Sequence, residues 1–273
     1  MKYCVPYYKT FKYMEEVDEV IVPFATTDIG FIKSLTSKEK MLHGTVIIEI
    51  KDMYDFNEKN SIGIFKDLQL NYPEVKFKLM FERHSNALDT LYQGMKEHNI
   101  PFFFATFVRD WDTFNGFIDL GVSDIYIVEE LAFSLGKLGP IAHAKNISIR
   151  CFANVAQSRW VNERSIKSFF IRPEDVYMYE SYIDVLEFQG ESQNIQEIMY
   201  DVYAHAKKWF GPLREIIFGL ESDIDSRTIL PDSFAKVRLN CDHKCKKGGK
   251  CTICNRFEDV SDTLLEHDVY FKY

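Results

Sequence analysis

The chain has 273 residues, of which 46% are hydrophobic and 15% aromatic, enough for a substantial core. Its 33 lysines and arginines stand against 41 aspartates and glutamates, for a net charge of −8. That balance excludes coating of DNA by bulk charge, while leaving room for a local basic patch. The opening MKYCVPYYKTFKYMEE lacks the apolar run of a secretory leader, and no stretch approaches the roughly eighteen apolar residues of a membrane span. The expectation is a cytoplasmic protein.

In chain order, short apolar runs rich in β-branched and aromatic residues recur: EVIVPF (19–24), TVIIEI (45–50), VKFKLMF (75–81) and PFFFATFV (101–108). DIYIVEE (124–130), ISIRCFA (147–153), FFIRPED (169–175) and DVLEFQG (184–190) follow. Several are continuously apolar, as strands buried on both faces of a parallel sheet must be. Between them, SNALDTLYQGMKEHN (85–99) sets Leu88, Leu91, Tyr92 and Met95 at helical spacing, and TFNGFIDLG (113–121) ends in a glycine suited to a helix terminus. NIQEIMYDVYAHAKKWFG (194–211) gathers Ile195, Ile198, Met199, Val202, Tyr203, Ala206, Trp209 and Phe210 on one face and reads as a closing helix. REIIFG (214–219) could add a ninth strand. This alternation predicts an α/β fold, a (β/α)8 TIM-like barrel over 1–211, with an open doubly wound sheet as its rival. Residues 212–273 read as a small cysteine-rich extension packed on the barrel.

That extension contains CDHKCKKGGKCTIC, which places Cys241, Cys245, Cys251 and Cys254 in a C-x3-C-x5-C-x2-C pattern. A short loop brings thiolates to one centre at low entropic cost, Gly248 and Gly249 permit a sharp turn, and the flanking lysines offset the negative charge of a four-thiolate site. In a reducing compartment such clustering favours metal over disulfides. The narrow gap and widened first pair favour an iron–sulfur cluster, with a compact zinc knot as the alternative. Cys151 reads as a small core residue, and no histidine presents itself as its partner in a cysteine protease. Cys4 reads as a substitute ligand or an unused thiol.

In a parallel barrel the chemistry gathers where strands end. The polar residues there are Glu49 and Asp52; Glu82, Arg83 and His84; Arg109 and Asp110; Glu129 and Glu130; Asn154 and Gln157; Arg172, Glu174 and Asp175; and Glu187 and Gln189. Arg172-Pro173-Glu174-Asp175 is equally a good helix start, with proline at the first helical position and acids behind it. Glu187 lies inside an apolar run, where a charge must be paired or face a polar interior. There is no G-x-S-x-G, H-E-x-x-H, P-loop or G-x-G-x-x-G pattern.

VSDIYIVEELAFSLGKLGP, ISIRCFANVAQSRWV, FFIRPEDVYMYESY and IDVLEFQG resemble, in order and spacing, the barrel of the collagenase-like peptidase U32 family. Glu187, Phe188 and Gly190 fall where that family carries E-x-F-x-x-G, with one residue fewer before the glycine. Arg172 and Glu174 resemble its arginine–glutamate pair, here split by Pro173. Where the family places its first cluster cysteine, this chain has GESQN. The resemblance implies a barrel with a 4Fe-4S cluster and oxygen-independent hydroxylation of RNA or of a small aromatic or carboxylate substrate, rather than peptide cleavage. Under this reading Cys241, Cys245, Cys251 and Cys254 ligate the metal, while Arg172, Glu174 and Glu187 line a pocket for a polar or anionic substrate. The alternative is a non-catalytic scaffold whose zinc knot docks protein or RNA. A peptidase finds no nucleophile to nominate.

Overall fold

The computed structural model describes residues 1–7, 12–23, 45–50, 58–71, 76–81, 93–100, 102–119, 121–156, 169–190, 192–209, 213–219, 233–239 and 241. Its frame is a curled sheet of parallel strands: β1 (Lys2–Pro6), β2 (Glu19–Pro23), β3 (Thr45–Ile50), β4 (Lys76–Phe81), β5 (Phe102–Val108), β6 (Asp124–Ile127), β7 (Ser148–Phe152) and β8 (Val185–Glu187). Each strand pairs with the next, and β1 pairs on its other side with β8.

Alternation along the strands separates two apolar layers. Val5, Val20, Val22, Val46, Ile48, Phe77, Ile125, Ile127, Ile149, Leu186 and Phe188 belong to the large outer core that the helices cover. Cys4, Ile21, Ile47 and Val185 pack together on the inner face with Phe103. Because both faces are buried, the runs read as continuously apolar.

The helices follow local signals. Glu58–Asn71 buries Ile62, Phe65 and Leu68, with the Phe65 ring 4.8 Å from Phe77 of β4. Trp111–Asp119 starts where the Asp110 carboxylate accepts from the Thr113 amide at 2.8 Å, and the chain leaves it through Gly121 at φ 74°. In Gln193–Tyr200 the Ser192 hydroxyl accepts from the Ile195 amide. Gly190, between β8 and this helix, sits in a tight place: a Cβ there would lie 3.1 Å from the Ile195 side chain, which would have to give by a few tenths of an ångström.

The expected (β/α)8 TIM-like barrel is corrected by these elements. A strand at Lys2–Pro6 precedes the first expected one, and its connection to β2 shows turns over 12–16 and no helix among the described residues. The expected strand over 169–175 is absent from the sheet. Pro173, which has no N–H and a fixed φ, instead opens a single 3-10 turn, Pro173–Asp175, continued by the one-turn helix Val176–Tyr179. β8 is only three residues long, so its seams with β7 and β1 are each three residue pairs deep, against five between β2 and β3. The molecule is therefore a curled all-parallel α/β sheet with an uneven helical cover.

Two further expectations change. The closing helix does not run to 211: it ends at Tyr200, passes into a wider π-helical segment, Asp201–Ala206, and stops at Lys207 in the left-handed region with φ 51°. REIIFG is not a ninth strand, because Leu213–Ile216 forms one helical turn and Phe218 makes only an isolated bridge to Val155. Beyond it, the helix Ser233–Leu239 docks through buried Phe234, Ala235 and Leu239, with Phe234 5.5 Å from the ring of Phe170. No helix among the described residues is long and apolar enough to cross a membrane.

Candidate functional site

Register places the inner-facing residues in tiers. At the N-terminal end of the strands, Arg150 of β7 reaches Asp124 of β6 at 2.6 Å and Glu19 of β2 at 2.7 Å, and Lys2 of β1 lies 3.4 Å from Glu19. Burial alone would pull the Arg150 guanidinium down, but Asp124, Tyr126 and Glu19 carry it above its ordinary value. The guanidinium also lies over the rings of Phe103 and Tyr126, 5.5 and 5.9 Å from their centroids. This tier joins four strands and presents charges that already have partners.

The tier above differs. Tyr126 of β6 donates its hydroxyl to Glu187 Oε2 of β8 at 2.5 Å, and Gln189 Nε2 donates to Glu187 Oε1 at 2.7 Å. Burial, then the Glu187 charge beside it, holds the Tyr126 phenol well above its ordinary value, so it remains a donor and Glu187 the acceptor. Phe107 and Phe152 complete the wall, their rings 5.7 and 5.2 Å from that of Tyr126. Asn154 locks the strand ends together: its Nδ2 donates to the Gln189 carbonyl at 2.7 Å while its Oδ1 accepts from the Gln189 amide at 2.8 Å. The result is a carboxylate oriented by two neutral donors and flanked by aromatic rings, an arrangement able to accept a proton or hold a donor-bearing ligand.

Arg172 and Glu174 meet in the turn that Pro173 opens. Arg172 grips Asp175 through Nε to Oδ2 at 2.5 Å and Nη2 to Oδ1 at 2.8 Å, and its Nη1 lies 3.4 Å from Glu174 Oε1. The planar fork is thus engaged by the chain's own carboxylate across the turn that Pro173 begins. Burial lifts the Glu174 carboxyl above the usual carboxylate range, although a backbone hydrogen bond and Arg172 oppose the shift. Its Oε2 is buried and accepts no hydrogen bond among the described residues. The Arg172 guanidinium lies 5.4 Å from the centre of Phe234, over which Arg238 also lies at 3.9 Å. Arg172 is thus bonded across its own turn, and Glu187 to Tyr126 and Gln189.

Cys241 is half-buried, just past the Ser233–Leu239 helix, with its amide donating to the Arg238 carbonyl at 3.3 Å. Cys245, Cys251 and Cys254 lie outside the described residues, as do Asp52, Glu82, Arg83, His84 and Gln157. Among the described residues, no group of three or more His, Cys, Asp or Glu is arranged to hold a metal ion. Asp110 caps the helix Trp111–Asp119 through both the amide and the hydroxyl of Thr113. Cys151 is fully buried, as its reading as a small core residue requires.

Sequence reasoning missed Tyr126, Arg150, Asp124 and Glu19. The signal was present for Arg150: like Glu187, it is a charge embedded in an apolar run, which demands a partner. Tyr126 gave no signal, since tyrosine is ordinary in a strand. No protein-family model matches the chain, and no curated protein matches it, so these comparisons do not identify it as a member of the peptidase U32 family.

Proposed function

We propose that this chain acts on a small polar molecule at the C-terminal end of its curled sheet, with Glu187 as the group that moves a proton. The observation that carries this reading is the Glu187 carboxylate itself, buried in β8 and oriented by the neutral donors Tyr126 and Gln189. In parallel sheets ligands gather at the C-terminal strand ends. Tyr126 and Gln189 fix the carboxylate's orientation, Phe107 and Phe152 exclude water from one side, and Asn154 holds the ends of β7 and β8 in place.

The four tail cysteines, Cys241, Cys245, Cys251 and Cys254, enter this reading as ligands of an iron–sulfur cluster, on their spacing. Support for a location near the same end comes from the tail's anchor: Arg238 and Phe234 pack on Phe133 and Phe170, which lie in the segments that follow β6 and β7. Arg172 is then a positioning residue beneath that anchor. A cluster there would take up the electrons released by an oxygen-independent hydroxylation that uses water as its oxygen source and pass them to an external acceptor, and that reaction on an aromatic or nucleobase substrate is the first class to assay.

Metal analysis of anaerobically purified protein tests the metal assignment. Iron and sulfide in equal amounts, with visible absorbance lost in a Cys251→Ser/Cys254→Ser variant, is the expected result. Colourless, iron-free and zinc-replete protein would replace it with a structural zinc knot on a scaffold. Glu187→Gln tests the site separately: it should abolish turnover or ligand binding in a screen of nucleobases and aromatic carboxylates while leaving metal content unchanged.

A further inference from the structure

The helix Ser233–Leu239 is pinned against the sheet by an arginine. Arg238 is 2% exposed, and its guanidinium lies 5.3 Å from the centre of the Phe133 ring, 5.2 Å from that of Phe170 and 3.9 Å from that of Phe234. Just beyond the helix comes Cys241, half-buried and packed against the main core, its amide donating to the Arg238 carbonyl at 3.3 Å. We propose that Arg238 is a latch linking the tail to the sheet: metal loading of the tail cysteines holds the helix in its ring socket, and the seated helix in turn raises affinity for the metal. The inference rests on the reading of Cys241, Cys245, Cys251 and Cys254 as metal ligands.

The donor set fits that reading, since four thiols fall between 241 and 254 and the first of them is held against the core. With the helix seated, the backbone at Cys241 is fixed before the metal arrives. One of the four ligands then carries no ordering cost at binding. With the helix released, that ordering opposes the metal and affinity drops. Linkage makes the effect reciprocal, so the factor by which seating strengthens metal binding is the factor by which loading strengthens seating.

Arginine suits the socket for a physical reason. A guanidinium is planar and weakly hydrated, so it lies flat over rings in a buried place, whereas the compact ammonium of lysine holds its water. Phe133 and Phe170 come from the segments that follow β6 and β7, and Phe234 from the tail helix itself, so the socket is complete only with the helix in place. From the socket, contacts run to the C-terminal end of the sheet. Phe170 adjoins Ile171, whose amide donates to the Ala153 carbonyl at 3.0 Å, and the Ala153 amide donates to the Glu187 carbonyl at 2.9 Å. Phe234 also lies against Arg172, 5.4 Å from its guanidinium. Seating therefore braces the strand ends beside Glu187 through a continuous chain of contacts.

Cobalt(II) titration of the full chain, reduced and stripped of metal under anaerobic conditions, tests the latch. Thiolate–cobalt absorbance should appear in the wild type, with affinity about tenfold weaker in Arg238→Lys, the scale of a group that supports a metal ligand from behind. In the wild-type chain, cobalt loading should slow hydrogen exchange about tenfold at the amides of Leu239, Cys241 and Ile171, as reciprocity requires. Equal cobalt affinity in the two chains, or exchange unchanged on loading, overturns the latch and leaves the metal assignment standing. Absence of thiolate–cobalt absorbance in the wild type overturns the metal assignment and the latch with it. The wild-type exchange measurement decides the matter even where Arg238→Lys fails to fold.

Discussion

At the N-terminal end of the sheet Arg150 is locked between Asp124 and Glu19, whereas one tier up Glu187 rests on a phenol and an amide. Both are buried charges inside the same curl of strands. The first is compensated by opposite charge, so it resists unfolding once formed but offers little to a ligand. The second is oriented by two neutral donors, a phenol and an amide. One strand carries both roles: β6 supplies Asp124 to the lower tier and Tyr126 to the upper, two residues apart on the same face.

The largest effect should come from breaking the lower tier. Arg150→Met takes the guanidinium from buried Asp124 and leaves Glu19 facing Lys2, and should cost about 3–5 kcal/mol in urea unfolding. Asp175→Asn, which takes the charge from the carboxylate gripped by buried Arg172, should cost about 2–3 kcal/mol in the same assay and loosen the tail where Phe234 stacks. Tyr126→Phe should cost about 1–2 kcal/mol, because it withdraws one of the donors on Glu187. Glu187→Gln keeps an acceptor for Tyr126 and should cost less in stability than Tyr126→Phe while removing the proposed activity. A Tyr126→Phe/Glu187→Gln double-mutant cycle measures the coupling between them. If Glu187→Gln destabilised the fold as much as Arg150→Met, the contrast between the tiers would collapse.

The smallest effect is alkaline. Burial, then Glu16, Asp18 and Tyr3, push the Tyr200 phenol up to about 12, and the folded state keeps it protonated where the unfolded chain would ionise it. Its contribution is complete below the ordinary tyrosine range and is lost as pH rises through about 12. Ultraviolet titration of the folded chain should show Tyr126 and Tyr203, both held well above the ordinary value by burial, ionising later still.

Much of the frame was legible. Strands β2 to β7 fall within the apolar runs read from the sequence, and the Gly121 helix terminus appears where the pattern places it. β1 was not legible: KYCVP is five residues ending in proline, and its identity as a strand depends on pairing with β8, some 180 positions along the chain. FFIRPED was misread because its apolar start gives the same periodicity as a strand, and only Pro173 and the Arg172–Asp175 grip turn it into a helix start. Glu187 was found because an isolated charge in an apolar run is a local signal. Its partner Tyr126 was not, since a tyrosine's hydrogen bond carries none.

By itself the sequence determined the parallel, doubly buried character of the strands, the glycine and proline boundaries and the clustering of cysteines in the tail, all of which are set by near neighbours. Only the tertiary structure decided which charges meet. Arg150 and Asp124 are 26 residues apart, Tyr126 and Glu187 are 61 apart, and Glu16 and His205 are 189 apart. Strand register and the packing of the last helix, rather than any local preference, bring those pairs within hydrogen-bond reach.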